Sequence, residues 1–163
     1  MGTESTARQG AVTQRFSRQH AELIDLAKEL LKQLDTRTLA RDARPARRAL
    51  AAFSGRLRVH AAMEQDALYP RLLSSTDQQV AGKAQALLAE VGDIYQSFFE
   101  HLARFPDAPS IEREPEHFSR ETMQFLHRLR LRMKRENDEL YPLVEALFDQ
   151  AGTSRPRATA NDE

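Results

Sequence analysis

The stretch Leu57–Pro70, LRVHAAMEQDALYP, returns 72 positions later as Leu129–Pro142, LRLRMKRENDELYP. Seven of the fourteen positions match without a gap: Leu57/Leu129, Arg58/Arg130, Glu64/Glu136, Asp66/Asp138, Leu68/Leu140, Tyr69/Tyr141 and Pro70/Pro142. Low complexity does not readily produce such a match, and its offset fits a duplicated helical hairpin. One mismatch matters most: His60 in the first copy is Arg132 in the second.

Around the first copy, Leu50, Phe53, Leu57, His60, Glu64 and Ala67 or Leu68 recur in steps of three and four, which puts them on one helix face. A histidine and a glutamate one turn apart therefore stand where leucines are expected. A buried glutamate is costly unless it is paired, hydrogen-bonded or bound to a cation; an i,i+4 His/Glu pair can equally be a structural hydrogen bond. Around the second copy the lane is Thr122, Phe125 or Leu126, Leu129, Arg132 or Met133, Glu136, Leu140, Val144 and Leu147. If the two helices are equivalent, Glu64 and Glu136 face each other near the centre of the molecule.

Two more helices complete the pattern. One starts near Val12 or Thr13 and carries the lane Phe16, His20, Leu23, Ala27, Leu30 and Leu34, so His20 points inward, where by itself it reads as a packed histidine. Another covers about 77–105, with Val80, Ala84, Val91, Phe98 and Leu102 in its lane and Tyr95 as its inward polar side chain near mid-helix. His101 falls one step off that lane and is expected at solvent or a groove edge. Gly92, in the helix interior, suggests a neighbour that needs the room.

The segments DTRTLARDARP and PDAPSIEREP read as loops, Pro70 as a kink or end of its helix, and Gly152 as the stop of the last helix. Residues 1–11 and 151–163 read as disordered tails around one domain over 12–150. The fold expected is all-α, an up-down-up-down antiparallel four-helix bundle.

Composition narrows the chemistry. Among 163 residues there is no cysteine, which removes disulfides, thiolate nucleophiles and thiolate metal sites. Lys and Arg total 24 and Asp and Glu total 24, so no global field favours nucleic acid or an acidic membrane. The basic run RLRLRMKR (128–135) lacks interleaved aromatics and spreads its charges over several helix faces, the pattern of a solvated surface. No apolar run approaches the roughly 20 residues needed to cross a bilayer, and the start carries no hydrophobic signal region. A soluble, cytoplasmic protein is expected, with no nucleic-acid or membrane partner.

What remains is an inward set of two imidazoles and two carboxylates, His20, His60, Glu64 and Glu136. Facing helices of a bundle can hold such a set rigidly around iron or manganese. At these residues the chain resembles the hemerythrin-like, or HHE cation-binding, family over about residues 12–150. The features that carry the resemblance are His20, the His-x-x-x-Glu and Tyr-Pro of His60, Glu64, Tyr69 and Pro70, and Glu136 with Leu140, Tyr141 and Pro142.

The resemblance implies a non-haem di-iron centre and roles in oxygen binding, oxygen or redox sensing, or iron handling, with dioxygen or peroxide as small partners. Family members with a full site carry a histidine where this chain has Arg132, and a His-x-x-x-His about where it has Val91 and Tyr95. Reversible oxygen carriage is therefore not expected. Two readings stay open, and a third makes the same metal the centre of an enzyme acting on peroxide or oxygen. In the first, a binding or sensory module holds iron, with manganese behind it, through His20, His60, Glu64 and Glu136, while Tyr95 and Arg132 support or replace ligands. In the second, a metal-free bundle acts as a protein-interaction module, its carboxylates neutralised by Arg132. Whether Arg132 points inward or snorkels past Met133 separates them in part.

Overall fold

The computed structural model describes the backbone of residues 3–153 and the side chains of residues 13–147, and every regular element among them is helical. In order these are α1 (Thr3–Leu31), α2 (Thr36–Arg41), α3 (Arg44–Met63), a π-turn (Glu64–Leu68), α4 (Tyr69–Leu73), α5 (Gln78–Arg104), α6 (Ala108–Arg113), α7 (Pro115–Arg135), a second π-turn (Glu136–Leu140) and α8 (Tyr141–Thr153). The two π-turns join α3 to α4 and α7 to α8, so the chain forms four long rods. The α1 rod packs on α3 and on α7 and α8, while α5 packs on α4 and α7. None of the described helices is long and apolar enough to cross a membrane.

Each rod buries the lane that its 3.6-residue period defines. Phe16, Leu23 and Leu30 are buried on α1, Leu50, Phe53 and Leu57 on α3, Val80, Val91 and Phe98 on α5, and Phe118, Phe125 and Leu129 on α7. Phe98 and Phe125 stack with ring centroids 4.1 Å apart, and Phe53 meets each of them edge-on at 6.0 Å. Edge-to-face and offset geometries of this kind are the favourable ones for aromatic quadrupoles.

Both segments read as loops contain helices. Asp35 caps α2 by accepting from the Thr38 amide at 2.8 Å, and Asp107 and Ser110 form a reciprocal capping box at the start of α6. Each short helix turns an apolar side chain inward, Leu39 and Ile111, and α2 packs against α6 over one end of the core. The outer boundaries also differ from expectation. Helix α1 begins at Thr3, through most of the expected tail over 1–11 and well before Val12 or Thr13. Helix α8 continues through Gly152, and no described glycine has the positive φ that a glycine stop uses. Residues 1, 2 and 154–163 lie outside the described residues.

Pro70 does not end its helix; the chain passes it on a widened turn. A proline ring has no N–H to donate and collides with the carbonyl four residues back. Within the π-turn the Tyr69 amide donates to the Glu64 carbonyl, five residues back, and the Tyr141 amide donates to Glu136 in the same way. One extra residue per turn accommodates the proline and lets the axis continue. It also turns the fifth residue back toward the first, so Glu64 and Tyr69 are both buried, as are Glu136 and Tyr141.

Two apolar clusters result. One runs through Leu23, Leu57, Leu129 and Met133 toward α2 and α6; the other gathers Phe16, Leu68, Leu87, Leu140 and Val144 at the opposite end. On α1, α3, α7 and the two π-turns, buried residues between these clusters are polar: His20, His60, Glu64, Arg132 and Glu136.

Candidate metal centre

His20 comes from the middle of α1, His60 from the last turn of α3, and Glu64 and Glu136 from the first positions of the two π-turns. All four are buried, and one ligand-type atom from each lies within 4.8 Å of the other three. The His20 and His60 Nε2 atoms are 3.1 Å apart. His20 Nε2 is 3.2 Å from Glu136 Oε2, and His60 Nε2 is 3.5 Å from Glu64 Oε1.

The outer nitrogens explain why the inner ones converge. His60 Nδ1 donates to Gln19 Oε1 at 2.9 Å, and His20 Nδ1 donates to Asn137 Oδ1 at 3.0 Å. Gln19 is itself oriented by its amide nitrogen, which donates to Met63 Sδ at 3.0 Å. With Nδ1 protonated, a neutral imidazole presents the Nε2 lone pair. Two such lone pairs and two carboxyl groups then point into one volume, and each close contact among them needs a proton or a cation. The Tyr141 hydroxyl, 2.9 Å from Glu64 Oε1 and 3.1 Å from His20 Nε2, supplies one. A divalent cation would serve all four atoms together.

Titration follows the same geometry. Burial, reinforced by His20, pushes His60 down to about 4, so its imidazole is neutral at physiological pH. Burial and the facing Glu136 carboxylate hold Glu64 well above the ordinary carboxylate range. Glu136 goes the other way: burial opposes its charge, but the His20 contact and the Arg132 guanidinium outweigh burial and hold it low.

Arg132 points inward and is buried, which removes the outward, snorkelling alternative. Its Nε donates to Glu136 Oε1 at 2.6 Å, and its two terminal nitrogens donate to the Leu87 carbonyl on α5 and to the Tyr69 hydroxyl. Tyr95 is half-buried beside this network, its hydroxyl pushed upward by burial and then by the Glu64 and Glu136 charges. It also lines a largely apolar groove of about 660 Å³ between α3 and α5, together with Leu57, Ala61, Gly92 and Phe99. Nothing lies within 4 Å of a Cβ built on Gly92, so no neighbour needs its room.

Other expectations resolve here. His101 is buried, not exposed: its Nε2 is 2.9 Å from Thr122 Oγ1 and its ring stacks on Phe118. The basic run is spread as expected, with Lys134 paired to Asp138 and Arg135 to Glu90 on the surface. Four residues of the site escaped sequence reasoning: Gln19, Asn137, Tyr69 and Tyr141. Both tyrosines sit at matched positions of the repeat, which was the available signal. Gln19 and Asn137 neighbour His20 and Glu136 in sequence and had no pattern of their own.

No match was found among curated proteins, and none among solved structures. A family model, hemerythrin HHE cation binding domain, matches residues 11–144 and so reaches into all four rods and covers every residue of the cluster. By that match the chain belongs to the hemerythrin family of HHE cation-binding domains.

Proposed function

We propose that this protein is a hemerythrin-like metal-binding protein that holds iron in its core through His20, His60, Glu64 and Glu136, in an oxygen- or redox-sensing or iron-handling role. The observation that carries this reading is the orientation of the two imidazoles, whose Nδ1–H groups are spent on Gln19 and Asn137 so that both Nε2 atoms face the carboxylates. Outer hydrogen bonds that fix the ring tautomer are characteristic of metal-ligating histidines. Two imidazoles with two carboxylates suit iron, with manganese second because carboxylates favour it more than imidazoles do. Iron would supply a redox-active centre able to meet dioxygen or peroxide. The protein's own contribution is rigid placement and exclusion of water by the apolar clusters on either side.

The same proposal includes the up-down-up-down antiparallel bundle. Supporting it, Thr13 on α1 donates to Glu145 on α8, Gln19 and Met63 meet between α1 and α3, and Ser97 and His101 on α5 meet Arg128 and Thr122 on α7. The Thr13–Glu145, Ser97–Arg128 and His101–Thr122 pairs each join the first half of one rod to the second half of its neighbour. A single domain over 12–150 and a cytoplasmic location belong to the same reading.

A second reading, a metal-free interaction module, is favoured by one observation: the Arg132–Glu136 pair neutralises half of the buried carboxylate charge internally. Metal analysis of protein produced in iron-supplemented medium separates the two. Stoichiometric iron, lost in His60→Ala, is expected. Protein that contains neither iron nor manganese, and whose thermal midpoint does not rise when either is added anaerobically, overturns the metal-binding reading.

A further inference from the structure

We propose that Arg132 takes the place of a second metal ion, so that this site accepts one cation per chain rather than two. The inference rests on the metal-binding reading above and concerns how many ions the site can take.

Five features of the site support it. Glu136 cannot offer both oxygens to a pair of ions, because they are divided: Oε2 faces His20, while Oε1 accepts from Arg132 Nε and lies 3.4 Å from the Tyr69 hydroxyl. A carboxylate that shares both oxygens between two ions needs both of them free. The guanidinium is also anchored on all sides, by Glu136, the Leu87 carbonyl and the Tyr69 hydroxyl, so it cannot swing away without leaving buried donors unpaired.

The ligand atoms themselves are gathered for one ion. Bonds of about 2.0–2.2 Å put opposite ligands of a single metal about 4 Å apart, whereas paired metals are themselves about 3.5–4 Å apart. The four atoms here lie within 4.8 Å of one another. The α5 wall offers a second ion only the half-buried Tyr95 hydroxyl: next to the Leu87 contact its buried side chains are Val91 and Ile94, and its one histidine, His101, is engaged with Thr122.

Charge completes the argument. Glu64 and Glu136 together carry two negative charges when ionised. Arg132 answers one of them permanently, since a guanidinium keeps its proton in proteins. One divalent ion then suffices, and another would be repelled by both that ion and the guanidinium.

The test is stoichiometry and magnetism of the full chain. Protein loaded anaerobically with excess iron(II) and then desalted is analysed for iron per chain, and its electron paramagnetic resonance spectrum is recorded after oxidation. One iron per chain and the low-field signal of isolated high-spin iron(III) are expected. Two irons per chain, or one to two irons with the silent spectrum of a coupled pair, overturns the inference while leaving metal binding intact. No iron overturns the metal-binding reading instead. Arg132→Lys, which keeps the charge, is expected to remain at one ion, and Arg132→His to rise above one. A folded Arg132→His chain that stays at one ion assigns the limit to another feature and overturns the role of Arg132. If that variant does not fold, the wild-type stoichiometry and spectrum decide.

Discussion

The two copies of the repeat use one frame for opposite purposes. In each, a glutamate opens a π-turn and a Tyr-Pro pair closes it, and the tyrosine crosses to the other copy's glutamate: Tyr69 to Glu136 and Tyr141 to Glu64. In each, the residue one turn before the glutamate approaches it, His60 to Glu64 at 3.5 Å and Arg132 to Glu136 at 2.6 Å. That one position separates the chemistry. His60, neutral and held low by burial, leaves its glutamate raised and able to take a proton or a metal. Its counterpart Glu136, contacted by His20 and by the always charged Arg132, is held low despite burial. The lesson is that a symmetric backbone can present one labile and one fixed carboxylate when a single basic side chain changes.

Glutamine substitution breaks this comparison most forcefully. In metal-free protein Glu136→Gln strands the Arg132 charge in the core and is expected to destabilise by about 3–5 kcal/mol in denaturant unfolding. Glu64→Gln imitates a carboxyl that is already protonated and should cost less than about 1 kcal/mol at mildly acidic pH. The pH dependence has opposite signs. Glu136, depressed in the fold, contributes stability above its ordinary pKa that is lost as pH falls; Glu64, raised, contributes stability at low pH that is lost as pH rises through its folded value. The stability of Glu64→Gln relative to the native chain should therefore grow with pH. A difference that shrinks with pH would contradict a raised Glu64.

Removing one tyrosine hydroxyl at a time sharpens the asymmetry. Tyr69→Phe leaves a buried guanidinium N–H without its acceptor and should cost about 1–3 kcal/mol of stability. Tyr141→Phe removes a proton donor shared by Glu64 and His20 and should cost about 1–2 kcal/mol, with the larger effect on metal affinity. Equal effects of the two variants on metal affinity would count against the division of roles.

The ring-orienting amides come next. Asn137→Leu and Gln19→Leu are each expected to weaken iron(II) or manganese(II) binding about 10–100-fold, and to cost metal-free protein about 1–3 kcal/mol for the buried ring N–H left without its acceptor. Calorimetric titration measures the first. The smallest expected effect lies outside both copies: Gly92→Ala meets no neighbouring atom and should stabilise α5 by about 0.5–1 kcal/mol without altering metal content.

Much of this was legible in the chain. Lanes at helical spacing placed Phe53, Leu57, Phe98 and Leu129 in the core, because burial of one face is a local, periodic requirement. The same logic brought His20, His60, Glu64 and Glu136 inward. Short-range periodicity failed where the signal was too brief or where long-range packing decided. Helices α2 and α6 have only six residues each, too few to show a period. His101 looked exposed because a lane drawn on one helix ignores the Thr122 and Phe118 surface that receives it.

The repeat, the missing cysteine, the helical lanes and the His60/Arg132 mismatch are properties of the sequence itself, since composition and spacing along one chain require no partner to be read. The direction of Arg132, the tautomers set by Gln19 and Asn137, and the crossing of each tyrosine to the opposite glutamate were decided by tertiary structure alone. Each depends on a group on a different rod, 41 to 121 positions away, apart from the Arg132–Glu136 contact within one rod. Hydrogen-bond geometry between rods is set by how the rods pack, and no pattern within one rod encodes it.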